Sequence, residues 1–514
     1  MATASAVPGR RYSTSRFFTR RDRSGAGLFL IGALGCLLAL VIGAAAATSH
    51  AKLVAGALIG LMFFGVAIAV YLRDPIGALI GLWLIVVFNA PISAAVGYHS
   101  SAGEAVRQGD EVLVLLLLAV TTWHTLRTNT RISPLRFILP GIGVALLGLL
   151  GAALHDVPSA VTTVGGWLGL KFWIMVGITL MLPWGPDDLR RVYTVLTRVG
   201  IFVAVLGLLD YLTHAAVSRA LGTSIYRFSS ESFRGEAVHS IFPHPGEYSV
   251  FMSLLFAYSF ARFASKRKTS DLMLALLFAG SIMLSLRLKG FLSLAAVLLI
   301  VAIFQGLTNH RGAIAVLLVG ALLLVGIYSL EGNVIAKQIS TYASSETTAR
   351  ARLYTAGERI AADNFPLGAG FGRYASYASR LYYSPVYKQY ELNYDWGLSR
   401  AYPQFIDDTS WPSVIGETGY GGFATYLIGI MIIILAVIRR LRTAPIAMRW
   451  VPLATLCAIA AFLVDSLGDP ALFDWVAVTT LAMMLGPTLA ATRDFALFTE
   501  PGRLEEDHRQ QTHG

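Results

Sequence analysis

The sequence predicts an all-α fold: a polytopic bundle of transmembrane helices with one large extracytoplasmic loop. Three observations carry that expectation. Of the 514 residues, 55% are hydrophobic and only 14% charged, with a mean hydropathy of +0.62; ordinary soluble domains are nearer a quarter charged. The apolar residues come in long runs of the length a bilayer core asks of a helix, about 20 residues. Lys and Arg alternate along the chain between crowded and nearly empty loops. So few charges do not cover the surface of a soluble fold this large. Disorder needs low hydrophobicity, and a β-barrel would show alternating segments of about ten residues.

In chain order the apolar runs lie at 27–47, 53–72, 76–94, 111–126, 137–154, 160–182, 199–215, 246–262, 271–286, 290–306, 313–330, 412–438, 450–466 and 471–491. That is about fourteen spans, or about twelve if short runs near the N-terminus lie in the interface. The Arg-rich tail ahead of the first run, with no small-residue cleavage site after it, makes that run an expected anchor rather than a cleaved signal. The expected organisation is a basic cytoplasmic tail at 1–26, about eleven spans within 27–330, an extracytoplasmic segment at 331–411, about three spans within 412–491 and a second cytoplasmic tail at 492–514. The string GALIGL at 56–61 recurs at 77–82; small-residue helix packing explains it as well as duplication does. Cys36 and Cys457 both sit inside apolar runs, so neither a disulfide framework nor a cysteine metal site is expected.

Orientation follows from the short loops. With the N-terminus in the cytoplasm, the six arginines of 10–23, then Arg73, Arg127, Arg131, Arg136, Arg190, Arg191, Arg198, Arg262, Lys266, Arg267, Lys268, Arg311, Arg439, Arg440, Arg442 and Arg449 all lie inside. Both termini are then cytoplasmic. Most of the +11 net charge is therefore topological, and no nucleic-acid partner is needed to explain it.

The exceptions to that trend are the candidate functional residues. Arg287 and Lys289, in Ser285-Leu-Arg-Leu-Lys-Gly290, interrupt an apolar stretch at the expected outer edge. Such cations either snorkel to headgroups or bind phosphate, Arg as a fork and Lys as a point charge. Arg234 lies in the outer loop before Ser240-Ile-Phe-Pro-His-Pro-Gly-Glu247. His239 and His244 beside Glu247 fit no zinc spacing, and the flanking prolines break any common helix face. No metal or other cofactor is expected. Pro245 and Glu247 also suit a helix start.

In the long segment, Arg350 and Arg352 open an amphipathic helix expected over 346–363, followed by irregular structure. The glycines of Phe365-Pro-Leu-Gly-Ala-Gly-Phe-Gly372 follow no strand, so a nucleotide loop is not expected; tight turns or sugar contact at Gly370 are. Asp407 and Asp408 precede Pro412, where acids favour a helix N-terminus. Glu417 lies about one turn inside the following span and needs a partner or polar cavity. Asp465, Asp469 and Asp474 flank the last outer turn. Lys171, mid-span, needs a partner too, and Asp210 is the candidate.

Taken in order over roughly 230–475, these motifs resemble the O-antigen ligase and polymerase superfamily of bacterial membrane glycosyltransferases. Ser240-Ile-Phe-Pro-His-Pro is similar to the family's Phe-x-x-Pro-Asn stretch. Leu288-Lys289-Gly290 falls where many members have Ser-Arg-Gly. Arg352-Leu-Tyr with Asn364-Phe-Pro-Leu-Gly-Ala-Gly-Phe-Gly372 resembles the long-loop signature, and Glu417-Thr-Gly-Tyr-Gly-Gly the family's Glu-x-Gly-x-x-Gly. Ligases carry a His nine residues before that Glu; Asp408 stands there in this chain, which favours a polymerase-like reading.

The resemblance implies a multi-pass protein of the bacterial cytoplasmic membrane that extends a surface polysaccharide of the cell envelope. The substrate would be undecaprenyl-pyrophosphate-linked oligosaccharide on the outer leaflet. Partners would be that lipid-linked oligosaccharide, membrane lipids and a chain-length regulator. Arg234, Arg287, Lys289, Arg350 and Arg352 would hold the pyrophosphate. Asp408, then Glu417, would serve as base, and His244, Glu247 and Gly370 would touch sugar. A ligase-type transferase to another acceptor is the alternative, and a flippase of lipid-linked sugar the second alternative.

The topology has a direct test. A cysteine introduced by Tyr394→Cys is expected to react with a membrane-impermeant maleimide in intact cells whose outer envelope has been opened. Labelling only after the cytoplasmic membrane is permeabilised would invert the assignment.

Overall fold

The computed structural model describes residues 70–97, 100–127, 135–223, 237–306, 314 and 348–490. The apolar run at 27–47, most of 53–72 and all but one residue of 313–330 lie outside these residues, as do Arg234 and Cys36. Among the described residues every regular element is helical.

The helices are α1 Pro75–Val87, α2 Asn89–Val96, α3 Ser101–Arg127, α4 Leu135–Leu154, α5 Ser159–Gly169, α6 Lys171–Met181, α7 Pro186–Leu212, α8 Ala216–Ala220, α9 Pro245–Lys266, α10 Thr269–Leu284, α11 Leu288–Gly306, α12 Ala349–Asp363, α13 Tyr377–Tyr382, α14 Val386–Gln389, α15 Trp411–Thr443, α16 Trp450–Ser466 and α17 Trp475–Ala490. Six of the described helices are long and apolar enough to cross a membrane, or eight if each of two bent pairs counts as one span. This is a multi-pass membrane protein.

The helices are built inside out relative to soluble ones. On α4, Leu139, Ile142, Leu146, Leu149 and Leu150 point outward, Leu139 at 53% exposure, while Gly141, Val144, Gly148, Gly151 and Ala152 are buried. Apolar side chains gain nothing by leaving lipid, so large ones face it and small ones let backbones approach. Leu427, Ile428, Met431 and Leu435 make the same outward stripe on α15. Helix α9 is the centre of the bundle. Almost its whole length is buried, packed chiefly between α10 and α16.

Two expected spans are broken. The pair α1–α2 bends by 58° at Phe88, and the pair α5–α6 by 54° at Leu170. Pro91, in the first turn of α2, has no amide hydrogen to give and its ring crowds the preceding turn. Gly165, Gly166 and Gly169 weaken α5 before the second break.

Residues 348–410 form a cap with its own core of Leu353, Ile360, Tyr374, Val386, Tyr387, Leu392, Leu398 and Ile406. The expected helix appears as α12. The chain beyond α12 is mostly turns and short helical pieces, as expected, and it is closely packed because aromatics fill it. Tyr374 and Tyr383 both stack on Tyr387, at ring-centroid separations of 5.9 and 5.5 Å. The Tyr374 hydroxyl donates to the Leu353 carbonyl at 2.6 Å.

The strip 365–372 fastens the cap to the bundle. The Ala369 amide donates to the Gly416 carbonyl at 2.8 Å, that of Gly370 to Glu417 at 3.0 Å, and that of Gly421 to Pro366 at 3.2 Å. These bonds form where α15 is kinked at Gly419, whose φ of 67° and ψ of −172° only glycine adopts readily. A β-carbon there would also collide with the Leu367 backbone. Gly419→Ala is therefore expected to lower stability by on the order of 1–3 kcal/mol, read as a lower thermal midpoint of the detergent-purified protein.

Candidate functional site

The charged residues at the cap end of the bundle come from five separate elements. His244 is the N-cap of α9. Its Nδ1 accepts from the Gly246 amide at 2.9 Å, which turns the chain into the helix. Arg287 and Lys289 flank the start of α11, in the turn where Leu286 takes a φ of 54°. Arg350 is in the first turn of α12, Asp408 just precedes α15, and Asp465 and Asp469 end α16 and open its following turn.

These groups meet. The Lys289 ammonium is clasped by Asp469, with side chains 13% and 12% exposed. Asp465 is an electrostatic neighbour of the same ammonium and accepts from the Ser293 hydroxyl at 3.0 Å. Arg350 Nε donates to Asp408 Oδ2 at 2.7 Å. Arg287, Arg350 and Asp408 all act electrostatically on Lys289, which joins the two ion pairs into one cluster.

His244 Nε2 lies 3.2 Å from the Arg287 guanidinium. Burial, then Arg287, Lys289 and Arg350, hold the imidazole far below its ordinary value, at about 2. The ring is therefore neutral. The Arg287 fork beside this neutral ring carries several N–H donors, a group that suits an anionic oxygen.

The turn carrying Asp469 is held by the cap junction. The Ser410 hydroxyl donates to the Asp469 carbonyl at 2.9 Å and accepts from the Leu472 amide at 3.2 Å. Trp411 Nε1 donates to the Ser466 hydroxyl at 2.9 Å, and the Tyr354 hydroxyl to the Leu467 carbonyl at 2.9 Å. Backbone and side-chain bonds from cap and span thus fix the acid that fixes Lys289.

Other expected site residues have different surroundings. Arg352 Nε donates to Asp395 at 2.8 Å and so ties α12 to the outer part of the cap. Gly370 is buried against the backbones of Gly151 and Ala152. Glu417 Oε1 accepts from the Tyr374 amide at 3.1 Å and the Ser376 hydroxyl at 2.7 Å, at the bottom of the cap. Glu247, in the first turn of α9, has Asp474 and Lys289 as charged neighbours. Asp407 and Asp408 do not cap α15. Its N-cap is Ser410, without a side-chain capping bond, and Asp407 pairs instead with Arg380 at 3.1 Å. Burial raises the Asp407 carboxyl above its usual range, against the pull of Arg380.

Lys171 does not pair with Asp210. Asp210 Oδ1 accepts from the Ser218 amide at 2.8 Å, where α8 turns back on α7. Lys171 sits at the α5–α6 break, 2.9 Å from Glu111 and 4.5 Å from the centre of the Trp475 ring. Glu111 also accepts from Trp167 Nε1, and the adjacent Asp110 accepts from Asn89 at 3.2 Å, beside the other bend. Glu111 opens an apolar run, the one sequence signal that could have found it. Among the described residues no group of three or more His, Cys, Asp and Glu is arranged to hold a metal ion.

No family model matches the chain, and no curated protein matches it.

The ion pair that joins cap to bundle is measurable. A double-mutant cycle of Arg350→Ala and Asp408→Ala is expected to give a coupling of on the order of 1 kcal/mol in unfolding; additive losses would mean that the pair does not link α12 to the start of α15.

Proposed function

We propose that the cap end is a glycosyl-transfer site that grips the pyrophosphate of a lipid-linked oligosaccharide and extends a polysaccharide. One observation carries the reading: Arg287, Lys289, Arg350 and the neutral His244 converge beside the carboxylate of Asp408. The resemblance to the O-antigen ligase and polymerase superfamily supports it. So does the expected outer-leaflet position of this end.

The chemistry follows from the pairing. Departure of a lipid pyrophosphate needs positive charge on its developing oxyanions. Arg287, beside His244, supplies guanidinium donors, and Lys289 and Arg350 are held in place by Asp469 and Asp408. A bound pyrophosphate would draw Arg350 toward itself and release the Asp408 carboxylate. Asp408 would then accept the proton of the acceptor hydroxyl as that oxygen attacks the anomeric carbon. Freeing the base would thus depend on filling the phosphate site. Glu417, engaged by the Tyr374 amide and the Ser376 hydroxyl, serves better as the brace of the cap than as the base. Arg352 serves the cap likewise. Whether the acceptor is another lipid-linked repeat or a different molecule separates the polymerase from the ligase alternative. The Asp at 408 favours the polymerase.

A second reading rests on Lys171 and Glu111. Paired charges beside the bends of two broken helices are what carriers use at their binding sites, so a flippase of lipid-linked sugar is the competing class.

Cells lacking the protein distinguish the three. Loss of a polymerase leaves single repeats on the surface, loss of a ligase leaves long lipid-linked chains, and loss of a flippase leaves repeats on the cytoplasmic leaflet. Complementation with Arg287→Ala plus Lys289→Ala is expected to cut chain extension by on the order of 100-fold or more, and Asp408→Asn by on the order of 100-fold. Normal chain length from either well-inserted variant would remove the corresponding assignment.

A further inference from the structure

At the opposite end of the bundle, α9 turns into α10 beside the start of α16. We propose that this corner seats the phosphate of an anionic phospholipid. Arg262 joins the three helices. Its guanidinium pairs with Asp271 at 3.2 Å, meets the Tyr258 hydroxyl and lies 5.5 Å from the centre of the Trp450 ring. Lys266 lies over the same ring at 4.8 Å. Its charged neighbours are Arg262 and Lys268, with Asp271 the acid that faces them. That one carboxylate is already engaged by Arg262. Arg267 donates to Gln305 Oε1 at 3.1 Å.

Solvated loop lysines would account for charge alone, but the corner holds more. Two helices begin here without a side-chain cap, α10 after Lys268 and α16 after Arg449; each brings a positive dipole end to the corner, although Asp271 sits in the first turn of α10 and Pro452 in the first turn of α16 has no amide hydrogen. Trp450 is 6% exposed, and its indole N–H has no acceptor; the Arg262 Nε–H is likewise buried without one. Two buried unpartnered donors, ammonium groups and two positive helix ends together suit a compact anion with several acceptor oxygens, which is phosphate. The source is a lipid rather than free phosphate because the apolar face for its chains is adjacent. Met273 and Leu276, within about two turns of Lys268, are exposed on α10, and basic corners between spans attract anionic headgroups.

The test uses the full chain in nanodiscs of phosphatidylcholine, with or without about one-fifth phosphatidylglycerol. Phosphatidylglycerol is expected to raise the thermal midpoint of the wild type and to remain bound in native mass spectrometry. Lys266→Gln with Lys268→Gln, both exposed positions, is expected to bind it about thirtyfold more weakly. Trp450→Phe should weaken binding while leaving the fold intact. Arg439→Gln with Arg442→Gln, the same charge change on exposed residues of α15, should leave binding unchanged. No lipid-dependent shift in the wild type, or equal losses in both double variants, would overturn the site. A full shift from inorganic phosphate in phosphatidylcholine discs would overturn the lipid as its source.

Discussion

A charge buried among transmembrane helices needs an opposite charge, and that requirement organises the cap end of the molecule. Lys289 on α11 is answered by Asp469 beyond α16, Arg350 on α12 by Asp408 before α15, and Lys171 on α6 by Glu111 on α3. Each pair joins elements far apart in the chain. Removing Asp469 or Lys289, both mostly buried, strands the other in a medium of low dielectric, which costs more than the pair itself contributes. The pairs therefore specify which helix ends meet. They also hold the cations of the cap end in place.

Close backbone packing serves the same end. The strip 365–372 lies against α4, α5 and the kink of α15, and only glycines admit that approach at Gly370 and Gly419. The strip seats the cap, the cap seats Arg350, and Ser410 at the junction holds the turn that bears Asp469. A motif that looks like a phosphate loop in sequence is thus a fastener between cap and bundle.

The bundle's two ends also differ in kind. At the cap end Lys289 and Arg350 are matched by acids from other elements. At the corner between α9 and α10 a single acid, Asp271, is taken by Arg262, while Lys266 lies against the Trp450 ring and Lys268 at the start of α10.

The sequence by itself determined the class of the fold, because composition and run length reflect the solvent around a helix, and lipid leaves a strong signature. It also singled out His244, Arg287, Lys289, Arg350 and Asp408, since ionisable residues at the edge of apolar runs are conspicuous. Partnership was decided only by the tertiary structure. Asp210, on the next long span, is the partner the sequence suggests for Lys171, yet Glu111, across the bundle, is the one within reach. Arg350 and Arg352 look equivalent in sequence, but two residues along a helix turn the side chain by about 200°, so one faces Asp408 and the other Asp395. The bends at Phe88 and Leu170 were equally hidden, because hydropathy reports depth in a membrane and says nothing about direction.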